Sequence, residues 1–594
     1  MTFRILVVTG ATLFFPGKAI FGQQAERLVT PFEKNENHTA TYAEAIDFYK
    51  QLDARYEEMS LEEWGLTDAG LPLHVAAISL DGDFDPDSIQ KKGKCILLVN
   101  NAIHPGEPDG VDATMMLFRD LLQDPAKRKL IEHTVIVAIP MYNLGGVLNR
   151  NSTTRANQNG PESYGFRGNS RNLDLNRDFI KCDSKEAQTF NQVFHYWRPD
   201  LFVDNHVSNG ADYTYTMTLL ATQKDKLDPI LADYLVKTLW PELNTRMAEK
   251  NWPMVPYMNT NGPPETGLYG FLDLPRYSTG YAALFNCIGF MPETHMLKPF
   301  RDRVRSTYAF METLLEVMVR DYWWVRENHD ILLFDRAVLK KVDLDWEIDT
   351  TQVDSLLFKG YAAKYKPSEV TGFDRLYYDR SEPYEKNIPY YPHFKPTLSV
   401  VPPQAYIIPQ GFTEVLDRLR WNGLEMYRLT SDVEIPVTQY YIRNYKDRRG
   451  PYEGHYLHYD VEVDPVERTA LFRAGDVVVF TQQEEGTRFL VSVLEPQAPD
   501  SYFCWNFFDG NLDQKEYFSA YVFEDIAAEF LKEHPEVREE LEALKKEDPD
   551  FASNPRRQLD WVYRHSPWYE PTHRLYPVAR LLELKELPLE KEEK

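Results

Sequence analysis

Cysteine is scarce in this chain of 594 residues. Only Cys95, Cys182, Cys287 and Cys504 occur, in no spacing that would hold a metal, and no disulfide framework is implied. Cys95 and Cys287 fall inside apolar runs, where a small buried thiol is the usual explanation. Long apolar runs are missing too: none reaches the ~20 residues needed to span a bilayer. Basic charge is in deficit, with 66 Lys and Arg against 91 Asp and Glu and a formal charge of −25. That balance argues against nucleic acid or an anionic membrane as partner, since both need a basic surface. What remains is ordinary globular sequence, 43% hydrophobic and 26% charged. It is too long for one core, so two or three domains are expected.

Arg4 precedes an apolar run from Ile5 to Phe15, followed by small residues and then polar sequence after Gly22. This is the layout of a signal peptide over residues 1–22, and it implies a secreted or periplasmic protein. No cysteine lies near the cleavage point, which disfavours a bacterial lipid anchor.

The most informative stretch runs from Cys95 to Gly110. An apolar segment of strand length ends at Ile103, and His104-Pro-Gly-Glu107-Pro follows. Two prolines and a glycine break any helix here, so His104 and Glu107 share a tight turn between a strand and the amphipathic helix 111–122. Strands also fit Leu73–Leu80 and Thr134–Pro140; alternation with helices predicts a mainly parallel α/β sheet. Leu201–Val203 leads to Asp204-Asn205-His206, and the run Ala282–Met291 leads to Pro292-Glu293-Thr294-His295. His104, Asn143, His206 and Glu293 thus each follow an apolar strand, and strand ends on one edge of a parallel sheet can converge on one cleft. Two histidines and two glutamates there would make a zinc hydrolase site of three ligands and a base. Between Asn149 and Asp178 lie Arg150, Arg155, Arg167, Arg171 and Arg177. Their guanidinium forks suit an anionic substrate group or oxyanion, or else they pair with nearby acids on a surface loop.

Taken together, His104-x-x-Glu107, the Asn143 turn, Asn172-Leu-Asp-Leu-Asn176-Arg177-Asp-Phe179, His206 and Glu293 resemble the zinc carboxypeptidases of the carboxypeptidase A type, over roughly residues 38–320. The resemblance implies an α/β fold: a mixed, mainly parallel sheet flanked by helices. It also implies one Zn²⁺ per chain on His104, Glu107 and His206, with Glu293 as general base toward zinc-activated water. Asn176 and Arg177 would grip the free C-terminal carboxylate of a peptide substrate, and Arg155 would stabilise the oxyanion, with Arg167 as its competitor. Tyr277 is the expected lid, with Tyr269 and Tyr281 competing. The chain departs from the family in Asn143-Leu-Gly-Gly146 and in Thr294-His295; His295 is expected to be structural. The implied activity is that of a secreted metallocarboxypeptidase. A zinc amidase or deacylase acting on peptidoglycan peptides or acyl-amino acids would use the same metal site, and an inert binding protein is a third reading.

The expected division is a catalytic domain over 23–325, a linker or packing segment over 326–403, and a β-rich (α+β) domain over 404–594. Residues 340–371 read as a charged loop, and 377–403 as a Tyr- and Pro-rich linker whose aromatics are packing residues. Period-2 patterning at 433–441, 455–463, 476–480 and 488–494 suggests a small antiparallel β domain, with helices at 412–422 and 523–546.

Overall fold

The computed structural model describes residues 27–257, 259–335, 339–483, 485–583 and 585–592; the expected signal segment, residues 1–22, lies outside them. The first half supplies β1 (Met59–Leu66), β2 (Pro72–Ile78), β3 (Cys95–Asn100), β4 (Thr134–Ile139), β5 (Leu201–Asp204), β6 (His206–Ser208), β7 (Met217–Ala221), β8 (Met254–Pro256), β9 (Leu268–Tyr269) and β10 (Ile288–His295). All but β9 form one sheet, ordered β1-β2-β4-β3-β5-β10-β7-β8, with β6 paired to β10. Its centre, β4-β3-β5-β10, is parallel; β1 and β2 run antiparallel on one side, and β7 is antiparallel to β10 on the other. The expected α/β sheet, mixed and mainly parallel, is what forms.

β3 and β4 are buried at every residue, which is why they read as unbroken apolar runs. Alternate side chains go to opposite faces. Leu97, Val99, Ile136 and Ala138 meet the helices Tyr42–Arg55, Asp109–Gln123 and Phe300–Asp335. Ile96, Leu98, Val135 and Val137 meet Lys185–Trp197 and Ser278–Leu284. The helix Phe300–Asp335 runs across the anticipated domain boundary at 325. No helix among the described residues is long and apolar enough to cross a membrane.

The second half differs more from expectation. The supposed loop and linker are strands: β11 (Val342–Ile348) pairs with β14 (Phe394–Val400), and β12 (Asp354–Pro367) forms a long hairpin with β13 (Asp374–Tyr391). Its sequence hides this because much of it is exposed on both faces, so no apolar alternation is needed. Of the linker aromatics, Tyr384 and Tyr390 do pack, against Phe358 and Ile388. β15 (Ala405–Ile408), β16 (Tyr427–Leu429), β17 (Val433–Asp447), β18 (His458–Phe472), β19 (Val477–Phe480), β20 (Ala579–Leu581) and β21 (Leu589–Lys591) make an antiparallel sheet ordered β18-β17-β20-β15-β19-β16-β21. Residues 488–494, expected as a strand, belong to the helix Thr487–Leu494. This helix and β15 and β19 pack on the same apolar layer as β3 and β4, through Tyr406, Val477, Phe489 and Leu490.

Candidate active site

The turn after β3 is built by backbone pairing: Tyr142 N–H donates to Asn101 O (2.9 Å) and Asn143 N–H to Ala102 O (3.2 Å). The Asn143 side chain donates to Ile103 O and Arg167 O and accepts from Gly146 N–H, so it braces the loops that carry His104 and Arg167. A Cβ on Gly106 would lie 2.6 Å from Arg155 Cδ; only glycine lets Arg155 cross over the turn to Glu107. Glu293 lies inside β10, not after it. The reason is that β6 prolongs the sheet beyond β5 and pairs His206 directly with Glu293.

His104, Glu107 and His206 converge with their potential ligand atoms within 4.8 Å of one another, all three buried. Glu107 Oε2 lies 3.3 Å from His104 Nδ1 and 3.2 Å from His206 Nδ1. The outward nitrogens are spoken for: His104 Nε2 pairs with Asp174 Oδ1 (2.8 Å) and His206 Nε2 with Asp204 Oδ2 (2.9 Å). Carboxylates behind imidazoles in this way orient metal-binding histidines. His104 Nδ1 is a buried polar atom with no hydrogen-bond partner, which a cation would satisfy. Burial opposes ionisation of Glu107, yet His104, Arg155 and His206 keep its carboxyl well below the usual range. Burial raises Glu293 instead, with Glu107 and Asp204 adding to the effect against His206 and Arg167. Two imidazoles, four carboxylates and an orphaned nitrogen fit one divalent cation with His and carboxylate ligands.

A cleft of about 490 Å³ opens over this group and is lined by His104, Glu107, His206, Glu293, Arg155, Arg167, Asn176, Arg177 and Tyr277, so the structure brings all the anticipated residues together. Arg155 donates from Nη1 to Glu107 (2.8 Å) and from Nε to Gln158 (2.6 Å), and its side chain is 13% exposed. Arg167 grips Asp174 through Nε (2.9 Å) and is 44% exposed. Arg177 lies 4.6 Å over the Tyr277 ring. Of the competing tyrosines, Tyr281 is fully buried, its hydroxyl bonded to Asn422, and Tyr269 stacks on Tyr391; neither lines the cleft. His295 is buried against Tyr213 and bonded to Ala211 O, a structural place; burial and Lys298 push its pKa down to about 4. Within the arginine-rich stretch, Arg155 and Arg167 pair with nearby acids as one of the two readings expects, and those acids, Glu107 and Asp174, lie at the site itself.

Sequence reasoning missed the apolar wall of Leu220, Tyr257, Phe271, Met291 and Met296. It also missed the supporting roles of Asp174 and Asp204, although both stand two residues before a named site residue. Most distant are Tyr452 and Glu453, between β17 and β18: the Tyr452 hydroxyl accepts from Arg177 Nε (3.0 Å), and Glu453 accepts from Asp174 N–H (2.7 Å).

Residues 45–211 match a family model described as zinc carboxypeptidase. Carboxypeptidase 2 of Trichophyton rubrum is 20% identical over 423 residues, covering 68% of this chain and 72% of its own. Carboxypeptidase 2 of Trichophyton equinum is 22% identical over 451 residues, covering 70% and 74%. Among solved structures, the metallo-carboxypeptidase from Pseudomonas aeruginosa aligns with TM-score 0.37 and 14% identity over 48% of this chain and 70% of its own.

Proposed function

Because this chain carries a zinc carboxypeptidase domain and is a metallopeptidase, we propose that it is a secreted enzyme that releases residues from the free C-terminus of peptides. The observation that carries this reading is the single cleft in which His104, Glu107 and His206 meet Glu293 and the Asn176-Arg177 pair. Bound by the first three, Zn²⁺ supplies a Lewis acid that polarises a carbonyl and lowers the pKa of water toward 7. Glu293, buried beside them, takes the proton from the attacking water and passes it to the leaving amine as the C–N bond breaks. Arg177 and Asn176 bind the terminal carboxylate, a guanidinium fork matching its two oxygens, and Tyr277 covers them.

For the oxyanion, the geometry supports Arg167 over the Arg155 expected from sequence. Arg167, braced by Asp174, is the more exposed of the two and reaches Glu107 only at 3.5 Å, whereas Arg155 is held to Glu107 at 2.8 Å. Leu220, Phe271 and Met291 suit an apolar C-terminal side chain. The test is metal analysis paired with residue release from a mixed set of peptides. Zinc together with release of apolar C-terminal residues, abolished by a chelator, is expected. Cleavage of acyl-amino acids alone would move the reading to a deacylase, and absence of zinc would remove it.

A further inference from the structure

We infer that the hairpin turn between β17 and β18 is part of the subsite for the substrate's terminal carboxylate, with Tyr452 and Glu453 as positioning residues; this rests on the carboxypeptidase reading above. Arg177 binds a carboxylate in bidentate fashion at lower entropic cost when its guanidinium plane is already fixed. Within its own loop it donates to Asn176 O, which sets one nitrogen. The second anchor comes from the other half of the chain, where the Tyr452 hydroxyl accepts from Nε. Tyr452 is itself braced, parallel to Trp505 and under Arg448, whose guanidinium lies 4.3 Å from its ring centre. The Tyr277 segment is tied to the same region: Arg276 N–H donates to Asp500 (3.0 Å), and its guanidinium faces both Tyr452 and Trp505.

Glu453 supplies independent support. Tyr452 and His455 exchange backbone hydrogen bonds around a two-residue turn in which Glu453 has φ +50° and Gly454 φ +87°. Turns of that kind favour Asn-Gly or Gly-Gly, and a glutamate in the left-handed region is strained. What the glutamate adds is a carboxylate that receives Asp174 N–H. Asp174 in turn holds His104 and Arg167, so the turn fixes the loop carrying Asp174, Asn176 and Arg177.

The experiment is steady-state kinetics of the full zinc-loaded chain on a blocked dipeptide with a free, apolar C-terminus, for wild type, Tyr452→Phe and Glu453→Gly. Tyr452→Phe keeps the ring and its packing, so KM should rise roughly tenfold with kcat within about twofold. Glu453→Gly relieves the strained turn, so the melting temperature should hold or increase while KM rises severalfold, a combination that a purely structural role would not give. Wild-type KM in both variants, or equal loss in kcat with KM unchanged, overturns the role of the hairpin alone. Failure of the wild-type chain to release any C-terminal residue overturns this inference together with the reading beneath it.

Discussion

Asp174 accepts from His104 through one carboxylate oxygen and from Arg167 through the other, and its pKa is held well below the ordinary range by those neighbours despite burial. Asp174→Asn should therefore weaken zinc binding by about 10- to 100-fold, as loss of such a partner commonly does; competition with a chelator measures it. Glu293→Gln keeps all three ligands and should retain zinc while losing at least ~10³-fold in turnover. Near-normal hydrolysis by that variant would take Glu293 out of the reaction. Asp112 offers a pH test away from the cleft. It is fully buried, bonded to Thr39 Oγ1 and Ala40 N–H, and burial raises its pKa from 3.8 to about 7, Asp109 adding to the effect. A carboxyl whose folded pKa exceeds its unfolded one stabilises while protonated, so its contribution fades as pH climbs from about 4 to about 7. Asp112→Asn should flatten that part of the denaturation profile, by on the order of 2–4 kcal/mol. A slope unchanged in the variant would assign the titration to another group. The candidate metal ligands were legible in the sequence because each stands just beyond a short apolar strand in a chemically loaded stretch, His104 and Glu107 after β3 and His206 after β5. Asp204 and Tyr257 were not, since a lone acid at a strand end or a tyrosine in a loop has many innocuous uses.

At the level of elements, β3 and β4 were readable because burial on both faces leaves an unmistakable apolar run. The helix Thr487–Leu494 was misread: a short, fully apolar segment carries no period to separate helix from strand. The β12–β13 hairpin was lost for the opposite reason, being too exposed to be patterned. The His104–Glu107 turn makes a prediction of its own. Gly106→Ala would force Arg155 away from Glu107, so kcat/KM should fall about tenfold with the melting temperature nearly unchanged. Wild-type kinetics would mean that the turn yields without disturbing its ligand.

Across the whole molecule, the expected linker obscured how closely the two halves join. Val135 and Val137 of the first sheet share one apolar layer with Tyr406 and Val477 of the second. A chain ending at Asp335 would expose that layer to water and should express as insoluble or aggregated protein, whereas the full chain should unfold in one transition followed by circular dichroism. Two well-separated transitions would show that the halves are energetically independent.

Tyr452 is 275 residues further along the chain than Arg177. During synthesis, then, His104, Glu107, His206 and Glu293 emerge long before the hydroxyl that receives Arg177 Nε. A growing polypeptide passes through most of its translation with Arg177 lacking that partner, and the proposed carboxylate site would reach its full affinity only once the β17–β18 hairpin has left the ribosome and docked.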